Sequence, residues 1–189
     1  MKSKIKSEFL ESSDLKRAFV GEYLDKIALV TELMIAAIKQ GHKILFFGNG
    51  GSATDASHLA AELVNRFAKN RRALPAIALT TDMSVITSIG NDSDFSEIFS
   101  RQIQALGQKG DVAIAISTSG KSPNVLKGVE AARSRGITTI GFTGGDGGPL
   151  AQRADHAFIV PSKVTARIQE THITLGHVIC GLIEEAFSE

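Results

Sequence analysis

This sequence is poor in cysteine, proline and tryptophan, and each scarcity excludes a class of protein or a kind of site. Its single cysteine forms neither an intrachain disulfide nor a thiolate metal cluster. Only four prolines are present, so there is no proline-rich linker, and we predict that residues 1–189 form one domain. No apolar run reaches the ~18 residues of a membrane span, and the polar N-terminus lacks the apolar segment of a signal peptide. We therefore expect a cytoplasmic protein that engages no membrane.

Excess charge is also missing from the chain. The 21 lysine and arginine residues are balanced by 20 aspartate and glutamate residues, which leaves a formal net charge of +1. No basic block interrupts this balance, and its absence argues against a nucleic-acid partner. Hydrophobic residues make up 43% of the chain, a share that excludes intrinsic disorder and supplies a sizeable core.

Short apolar runs alternate with helical periodicity along the chain. The runs predict buried strands at 44–47, 76–79, 112–116, 137–142 and 157–160. Long helices are predicted at 14–40, capped by Ser13 or Asp14, and at 165–187. This alternation predicts the α/β class, with a single doubly wound, five-stranded parallel sheet flanked by helices. The helical segment within residues 1–41 is expected to pack on the domain or on a neighbouring subunit.

Two loops that leave the first and third predicted strands are rich in groups that bind anions. The first is the glycine loop at 48–52, and the second is the serine loop at 117–122, with four hydroxyls in six residues. Hydroxyls and the amides of a helix N-terminus both donate to a phosphate. The alternatives are a tight strand-to-helix turn for the glycine loop and simple helix capping by Ser122 for the serine loop. The glycine loop has the spacing of neither the dinucleotide-binding nor the Walker motif, so a nucleotide cofactor is not supported.

Two helices carry side chains suited to a metal or to acid–base chemistry. His58 and Glu62 are four residues apart, on one helix face, although a surface pair is the alternative interpretation. Gln169 and His177 lie eight residues apart on the last helix, roughly 12 Å along its axis. They reach one ion only if it lies between them and both side chains are extended. Otherwise the two ligands come from different chains, which hints at a site on a subunit interface.

Several stretches together resemble the sugar isomerase (SIS) domain family and, within it, the phosphoheptose isomerases. The likeness covers nearly the whole chain. It is carried by FGNGGS at 47–52, DASHLAAE at 55–62, GND at 90–92, ISTSGKS at 116–122, TGGDGG at 143–148 and RIQE at 167–170, followed by His177. The serine loop alone would indicate only a sugar-phosphate SIS domain, whereas the paired His58 and Glu62 with Gln169 and His177 are more specific.

The resemblance implies a flavodoxin-like three-layer SIS domain that assembles as a homotetramer, with active sites at subunit interfaces. Contacts to a phosphosugar are implied for Asn49, Gly50, Gly51, Ser52, Glu62, Asn91, Asp92, Ser117, Thr118, Ser119, Ser122 and Gln169. One Zn²⁺ per site is implied, with ligands at His58, Glu62, Gln169 and His177. The chain departs from some relatives at Ala166, where they carry an acidic residue.

The activity implied by the resemblance is an aldose–ketose isomerisation. It converts sedoheptulose 7-phosphate to D-glycero-D-manno-heptose 7-phosphate for the lipopolysaccharide core or capsule of bacteria. Glu62 would carry the proton from C1 to C2, and His177 would move protons among the oxygens or open a cyclic sugar. Either the metal is catalytic and another group moves the proton, or Glu62 is the base and the metal organises the site. Both hypotheses stay open at the level of the sequence.

Two other functions also fit a SIS domain. One is a non-enzymatic tetrameric protein that binds a DNA-replication initiator, and the other is a sugar-phosphate sensor or an isomerase of another ketose. A pure binding module does not need a complete acid–base and metal set. The presence of that set favours an enzyme.

Overall fold

The computed structural model describes residues 1–188, and within them one parallel β-sheet lies between two layers of helices. Its strands are β1 (Ile44–Gly48), β2 (Ala76–Ala78), β3 (Val112–Ile116), β4 (Thr138–Gly144) and β5 (His156–Val160). All neighbouring pairs are parallel and the order is β2-β1-β3-β4-β5. The predicted fold class is confirmed. The strand order changes direction between β1 and β3, the position at which doubly wound sheets bind ligands.

The helices alternate with the strands along residues 1–188. They are α1 (Lys2–Lys39), α2 (Gly51–Val64), α3 (Met83–Asp92), α4 (Ile98–Leu106), α5 (Pro123–Ser134), α6 (Gly148–Arg153) and α7 (Thr165–Phe187), with a 3₁₀ turn at Phe95–Glu97. Among these helices, none combines the length and the apolar composition that a membrane crossing requires.

The core has two apolar layers because successive side chains of a buried strand point to opposite faces of the sheet. On β1, Phe46 joins the layer under α1, α2 and α7, while Leu45 and Phe47 join the layer under α4, α5 and α6. Every residue of β1 and β3 is buried. A strand that is covered on both faces has a continuous apolar sequence, and these strands could therefore be predicted from the sequence.

The first helix begins earlier than its sequence predicts. Ser13 and Asp14 lie inside α1, which starts at Lys2. The buried Arg167 of α7 donates to the backbone oxygen of Glu8 at 2.6 Å and pairs with the Glu8 carboxylate at 3.1 Å. This contact fixes the first turns of α1 on α7. Ser and Asp are only mildly unfavourable inside a helix, so α1 runs through both residues.

His172 joins α7 to the sheet through a buried imidazole. Its side chain is 1% exposed, and Nε2 lies 3.0 Å from the carbonyl oxygen of Thr143. A carbonyl only accepts, so Nε2 carries the proton and donates, and Nδ1 has no hydrogen-bond partner in the part of the chain described. Burial lowers the pKa of His172 to about 4, against a smaller opposing effect of the Thr143 carbonyl.

This neutral histidine makes stability depend on pH. In the unfolded chain a histidine has a pKa near 6.5, so between about pH 6.5 and 4 only the unfolded state takes up the proton. The resulting loss of stability as pH falls through that window is about 3 kcal/mol. We expect His172→Gln, which keeps a donor for Thr143, to be less stable than the wild type at pH 7. Its deficit should shrink towards pH 4 in urea unfolding measured at several pH values, whereas a deficit independent of pH would contradict the assignment.

Candidate active site

The glycine loop and the serine loop lie side by side at the carboxyl ends of β1 and β3. Gly50 precedes α2 with φ +55°, a backbone conformation that favours glycine. Asn49 and Asn124 exchange two amide hydrogen bonds, of 2.9 and 2.8 Å, and Asn124 is 3% exposed. This pair ties the two loops together. The sequence reasoning missed Asn124, for which the only signal was a polar residue in the first turn of α5.

The serine loop carries four hydroxyl groups, and those of Thr118 and Ser119 line one side of a cleft. The hydroxyls of Ser117 and Ser122 are 3.1 Å apart, and the Ser119 hydroxyl accepts the Lys121 amide at 3.2 Å. Ser122 holds the N-cap position of α5 but makes no capping hydrogen bond through its side chain. The helix-capping interpretation therefore does not account for its hydroxyl. The cleft is lined by residues from this loop, the β4–α6 loop and the start of α7, including Thr118, Ser119, Lys121, Gly145, Ser162 and Lys163.

The second glycine-rich loop, at 144–148, packs its backbone against the backbone of the serine loop. A Cβ at Gly120 would overlap the backbone of Gly147, and a Cβ at Gly148 would come within 2.8 Å of the Gly120 oxygen. The Leu150 amide donates to that same oxygen at 3.1 Å. The loop is a turn that leads into α6, as its composition indicates, and its close backbone approach holds the hydroxyls of the serine loop in place.

A second cluster of functional groups lies where α2 packs on α7. His58 Nε2 is 2.9 Å from Glu62 Oε1 and 3.1 Å from His177 Nε2. One ligand atom from each of these three residues lies within 4.8 Å of the other two. Zinc–nitrogen bonds of about 2.1 Å at tetrahedral angles separate two ligand atoms by roughly 3.4 Å. The three side chains therefore fit around one metal ion, and they equally form an acid–base group.

Asp55 adds a carboxyl group one turn before His58. It is half-buried, and its Oδ2 atom is buried without a hydrogen-bond partner among the described residues. Burial raises the pKa of Asp55, and the charge of the nearby His58 opposes that rise. No role was predicted for Asp55 from the sequence, although its three-residue spacing from His58 places both on one helix face.

Gln169 lies away from the three-residue cluster. A Cβ at Gly51 would overlap the Gln169 amide, and a Cβ at Gly176 would overlap Leu59. These contacts, with the pairing of His58 and His177, show that α2 and α7 run parallel. Gly51 precedes His58 by seven residues, about 10 Å of helix. The structure thus brings together three of the four predicted ligands, while Gln169 of the same chain faces the glycine loop.

Three further residues predicted to contact the substrate, Ser52, Asn91 and Asp92, lie beneath or away from the two loops. Ser52 is 3% exposed and packs beneath the glycine loop against Gly48. Asn91 and Asp92 end α3 on the surface, where the Asn91 amide donates to the Asp92 carboxylate at 2.7 Å. Within residues 1–188, no side-chain hydrogen bond joins either of them to the two loops. Ala166 is exposed in the first turn of α7.

This chain is similar to known proteins in both sequence and structure. The family model described as "SIS domain" matches residues 9–144. A phosphoheptose isomerase from Aquifex aeolicus is 57% identical over 100% of this chain and 99% of its own length. One from Thermodesulfovibrio yellowstonii is 53% identical over 100% of this chain and 94% of its own.

Solved structures give the same result. The phosphoheptose isomerase from Neisseria gonorrhoeae superimposes with a TM-score of 0.91 at 42% identity, over 97% of this chain and 98% of its own. That from Francisella tularensis superimposes with a TM-score of 0.93 at 39% identity, over 97% of each chain.

Proposed function

This chain belongs to the phosphoheptose isomerases of the SIS domain family, and we propose that it converts sedoheptulose 7-phosphate to D-glycero-D-manno-heptose 7-phosphate. The observation that carries the proposal is the contact of His58, Glu62 and His177, because an isomerase needs a base and a proton carrier within one site. The alternative function, binding of a DNA-replication initiator, finds no support in the relatives described above.

The serine loop is proposed to hold the phosphate. Ser117, Thr118, Ser119 and Ser122 supply hydroxyl donors, the first amides of α5 add the positive end of a helix dipole, and Lys121 adds charge. Anchoring the phosphate fixes the distance to the reacting carbons. Further sugar contacts are proposed for Asn49, Gly50, Gly51, Ser52, Asn91, Asp92 and Gln169.

Glu62 is proposed as the base. Its Oε1 faces His58, while Oε2 has no hydrogen-bond partner among the residues described. Oε2 takes the proton from C1 of the ketose, an enediol forms, and Oε2 delivers a proton to C2 after exchange with the solvent. The C1 hydroxyl proton moves to the C2 oxygen through His177, so C1 becomes the aldehyde and no outside oxidant is needed. Because Glu62 has two oxygens, it can serve one role at each.

His58, Glu62 and His177 are also proposed to hold Zn²⁺, with Gln169 of another subunit as a further ligand. When bound, such an ion would polarise the sugar carbonyl and stabilise negative charge on oxygen. The spacing of the three donor atoms supports this ligand set. In this arrangement His58 orients Glu62, whose free oxygen remains directed to the substrate.

The active site is proposed to combine parts of two subunits. Glu62 lies eleven residues beyond Gly51, roughly 16 Å along α2 from the glycine and serine loops. Eight bonds separate C1 of the substrate from its phosphorus, roughly 10 Å with bonds of about 1.5 Å. Measured between backbones, the helix distance exceeds the length of the substrate, which supports a site in which Glu62 of one subunit serves the serine loop of another.

Association into a homotetramer is also proposed, and exposed apolar side chains support it. Large apolar side chains remain exposed on α1 and α7, which pack on each other: Ile5, Phe9, Leu10, Leu24, Val178 and Leu182. Such exposure marks interaction surfaces. We further propose that residues 1–189 act as one SIS domain, with residues 1–41 contacting a neighbouring subunit. The proposed place of action is the cytoplasm, in the synthesis of heptose for the lipopolysaccharide core or capsule.

Glu62→Gln tests the base. The amide keeps the shape of the side chain but accepts no proton, so we expect turnover of sedoheptulose 7-phosphate to fall on the order of a hundredfold or more. Proton NMR in D₂O should show the aldose with solvent deuterium at C2 for the wild type. The matched control is Glu130→Gln on the exposed face of α5, which should retain turnover. Near wild-type turnover in Glu62→Gln would refute the assignment, and no conversion by the wild type would refute the proposed function.

Co-expression of two inactive variants tests the shared site. Glu62→Gln lacks the base, and Ser119→Asp repels the phosphate at an exposed position of the serine loop. In mixed oligomers of equal composition, about a quarter of the sites then combine two intact halves. We expect turnover near that fraction of the wild-type value. If each site lay within one chain, the mixture would be no more active than its two parents.

Zinc binding is testable through stability as well as activity. A ligand that binds only the folded protein raises its thermal midpoint, so Zn²⁺ should raise the midpoint of protein stripped with a chelator. His58→Ala should abolish that rise, while His156→Ala on β5 should retain it. The bound metal is quantified by mass spectrometry. An unchanged rise in His58→Ala would place the ion elsewhere.

A further inference from the structure

A buried ion pair lies directly behind the His58–Glu62–His177 cluster. Arg71 and Glu184 have side chains that are 0% and 2% exposed, with Arg71 Nε 3.6 Å from Glu184 Oε2. Arg71 comes from the irregular segment after α2, and Glu184 from the last two turns of α7. By residue type, each would be expected to be a solvated surface charge.

The arginine fixes the end of the helix that carries Glu62. Its Nη2 donates to the backbone oxygen of Glu62 at 2.6 Å, and Nη1 donates to the backbone oxygens of Leu63 at 2.8 Å and Asn65 at 3.2 Å. The last carbonyls of a helix have no partner within the helix. One guanidinium therefore satisfies the turn from which the Glu62 side chain projects.

The glutamate fixes the segment that follows. Its carboxylate accepts the backbone amides of Phe67, Ala68 and Lys69 at 2.6–2.7 Å. Burial alone would raise the pKa of Glu184, but these three amides and then Arg71 outweigh it and hold the pKa below its ordinary value. The carboxylate thus stays ionised and holds three successive amides.

The fixed segment covers the third residue of the cluster. The Phe67 ring lies 5.6 Å from the His177 ring, centroid to centroid, and a Cβ at Gly181 would come within 3.4 Å of it. His177, Gly181 and Glu184 share one face of α7, at spacings of four and three residues. The carboxylate that binds the Phe67 amide and the imidazole that meets its ring therefore belong to one rigid surface.

We propose that Arg71 and Glu184 are positioning residues for the isomerisation, which set Glu62 through its backbone and His177 through Phe67. This inference rests on the proposed function. Two buried charges are costly to desolvate, and well-packed apolar residues often replace such a pair without loss of stability. Here the contacts of the pair end on the backbone of the α2 terminus and of the segment after it, including the Glu62 oxygen and the Phe67 amide, so its role is to restrict geometry.

The experiment compares Glu184→Gln with a matched control. Asp111→Asn removes an equally buried carboxylate, which accepts the Lys43 and Gln108 amides and pairs with Lys43 at the opposite end of the sheet. Both variants should lower the thermal midpoint. At a temperature where both are folded, Glu184→Gln should lower kcat on the order of ten- to a hundredfold with KM little changed. Asp111→Asn should keep the wild-type kcat.

Phe67→Leu tests whether Glu184 acts on His177 through Phe67. Phe67 is partly exposed, so we expect the variant to fold. It should lower kcat, and the double variant with Glu184→Gln should lose no more than Glu184→Gln alone. Arg71→Lys, which keeps the charge but not the forked donors, should lower kcat as well, and it carries the test if Glu184→Gln does not fold. Equal kcat losses in Glu184→Gln and Asp111→Asn, or additive losses in the double variant, would overturn the inference.

A readout without substrate separates this inference from the proposed function. The imidazole proton resonances of His177 sense the neighbouring Phe67 ring. Glu184→Gln should shift them in the same direction as Phe67→Leu does, and Asp111→Asn should leave them unchanged. If the wild type fails to isomerise the heptose phosphate but these shifts appear, the function is wrong and the positioning stands. Unmoved resonances in Glu184→Gln would overturn the positioning, whatever the activity.

Discussion

The close parallel packing of α2 on α7 is the constraint on which the rest of the site depends. It is possible because Gly176 offers no side chain where Leu59 approaches, and because Gly51 leaves room for the Gln169 amide. A methyl group at Gly176 would push the helices apart, whereas one at Gly51 would displace the end of the Gln169 side chain. At the observed separation, His58 and His177 bring their Nε2 atoms to 3.1 Å. The chemistry of the cluster is therefore a consequence of helix packing rather than of a specialised loop.

The sheet supplies the second half of the site by a different physical route. Parallel strands place the N-termini of α2 and α5 at neighbouring positions, where the strand order changes direction between β1 and β3. The Asn49–Asn124 amide pair then fixes the two loops relative to each other. Hydroxyls, amides and lysines converge there without a compensating carboxylate apart from Asp146, which pairs with Lys121 at 3.7 Å. The edge is electrostatically suited to an anion, and the α2–α7 cluster to proton transfer.

The parts that the sequence predicted are those governed by local periodicity. Runs such as 112–116 fixed the buried strands, and the four-residue spacing of His58 and Glu62 fixed their shared helix face. The partner of that face was not predictable, because nothing in the spacing shows whether Gln169 or His177 of α7 lies opposite His58. The start of α1 was missed because its first turns depend on a contact with Arg167, which is 159 residues away from Glu8.

Buried polar groups were the other systematic omission. Asn124, Arg71 and Glu184 look like surface residues by type, and only long-range contacts reveal that they are buried. Each satisfies backbone or amide groups that irregular segments would otherwise leave unpaired, and an unpaired buried group costs about 1–3 kcal/mol. The surrounding segment needs a polar side chain at such a buried position to pair with its backbone groups. The need arises from long-range contacts in the fold, so the residues adjacent in sequence do not reveal it.

In our proposal, the separation of the two half-sites links association of the subunits to activity. Along α2, roughly 16 Å divides the glycine loop from Glu62, and the rigidity of a helix keeps that distance fixed. In the proposed assembly, a second copy completes the site for a substrate of roughly 10 Å. The exposed apolar surfaces of α1 and α7 favour that association. A fixed helix in each chain also means that assembly needs no local rearrangement to bring base and phosphate loop together. In this proposal the length of α2 sets the distance between the two half-sites, and oligomerisation assembles the active site.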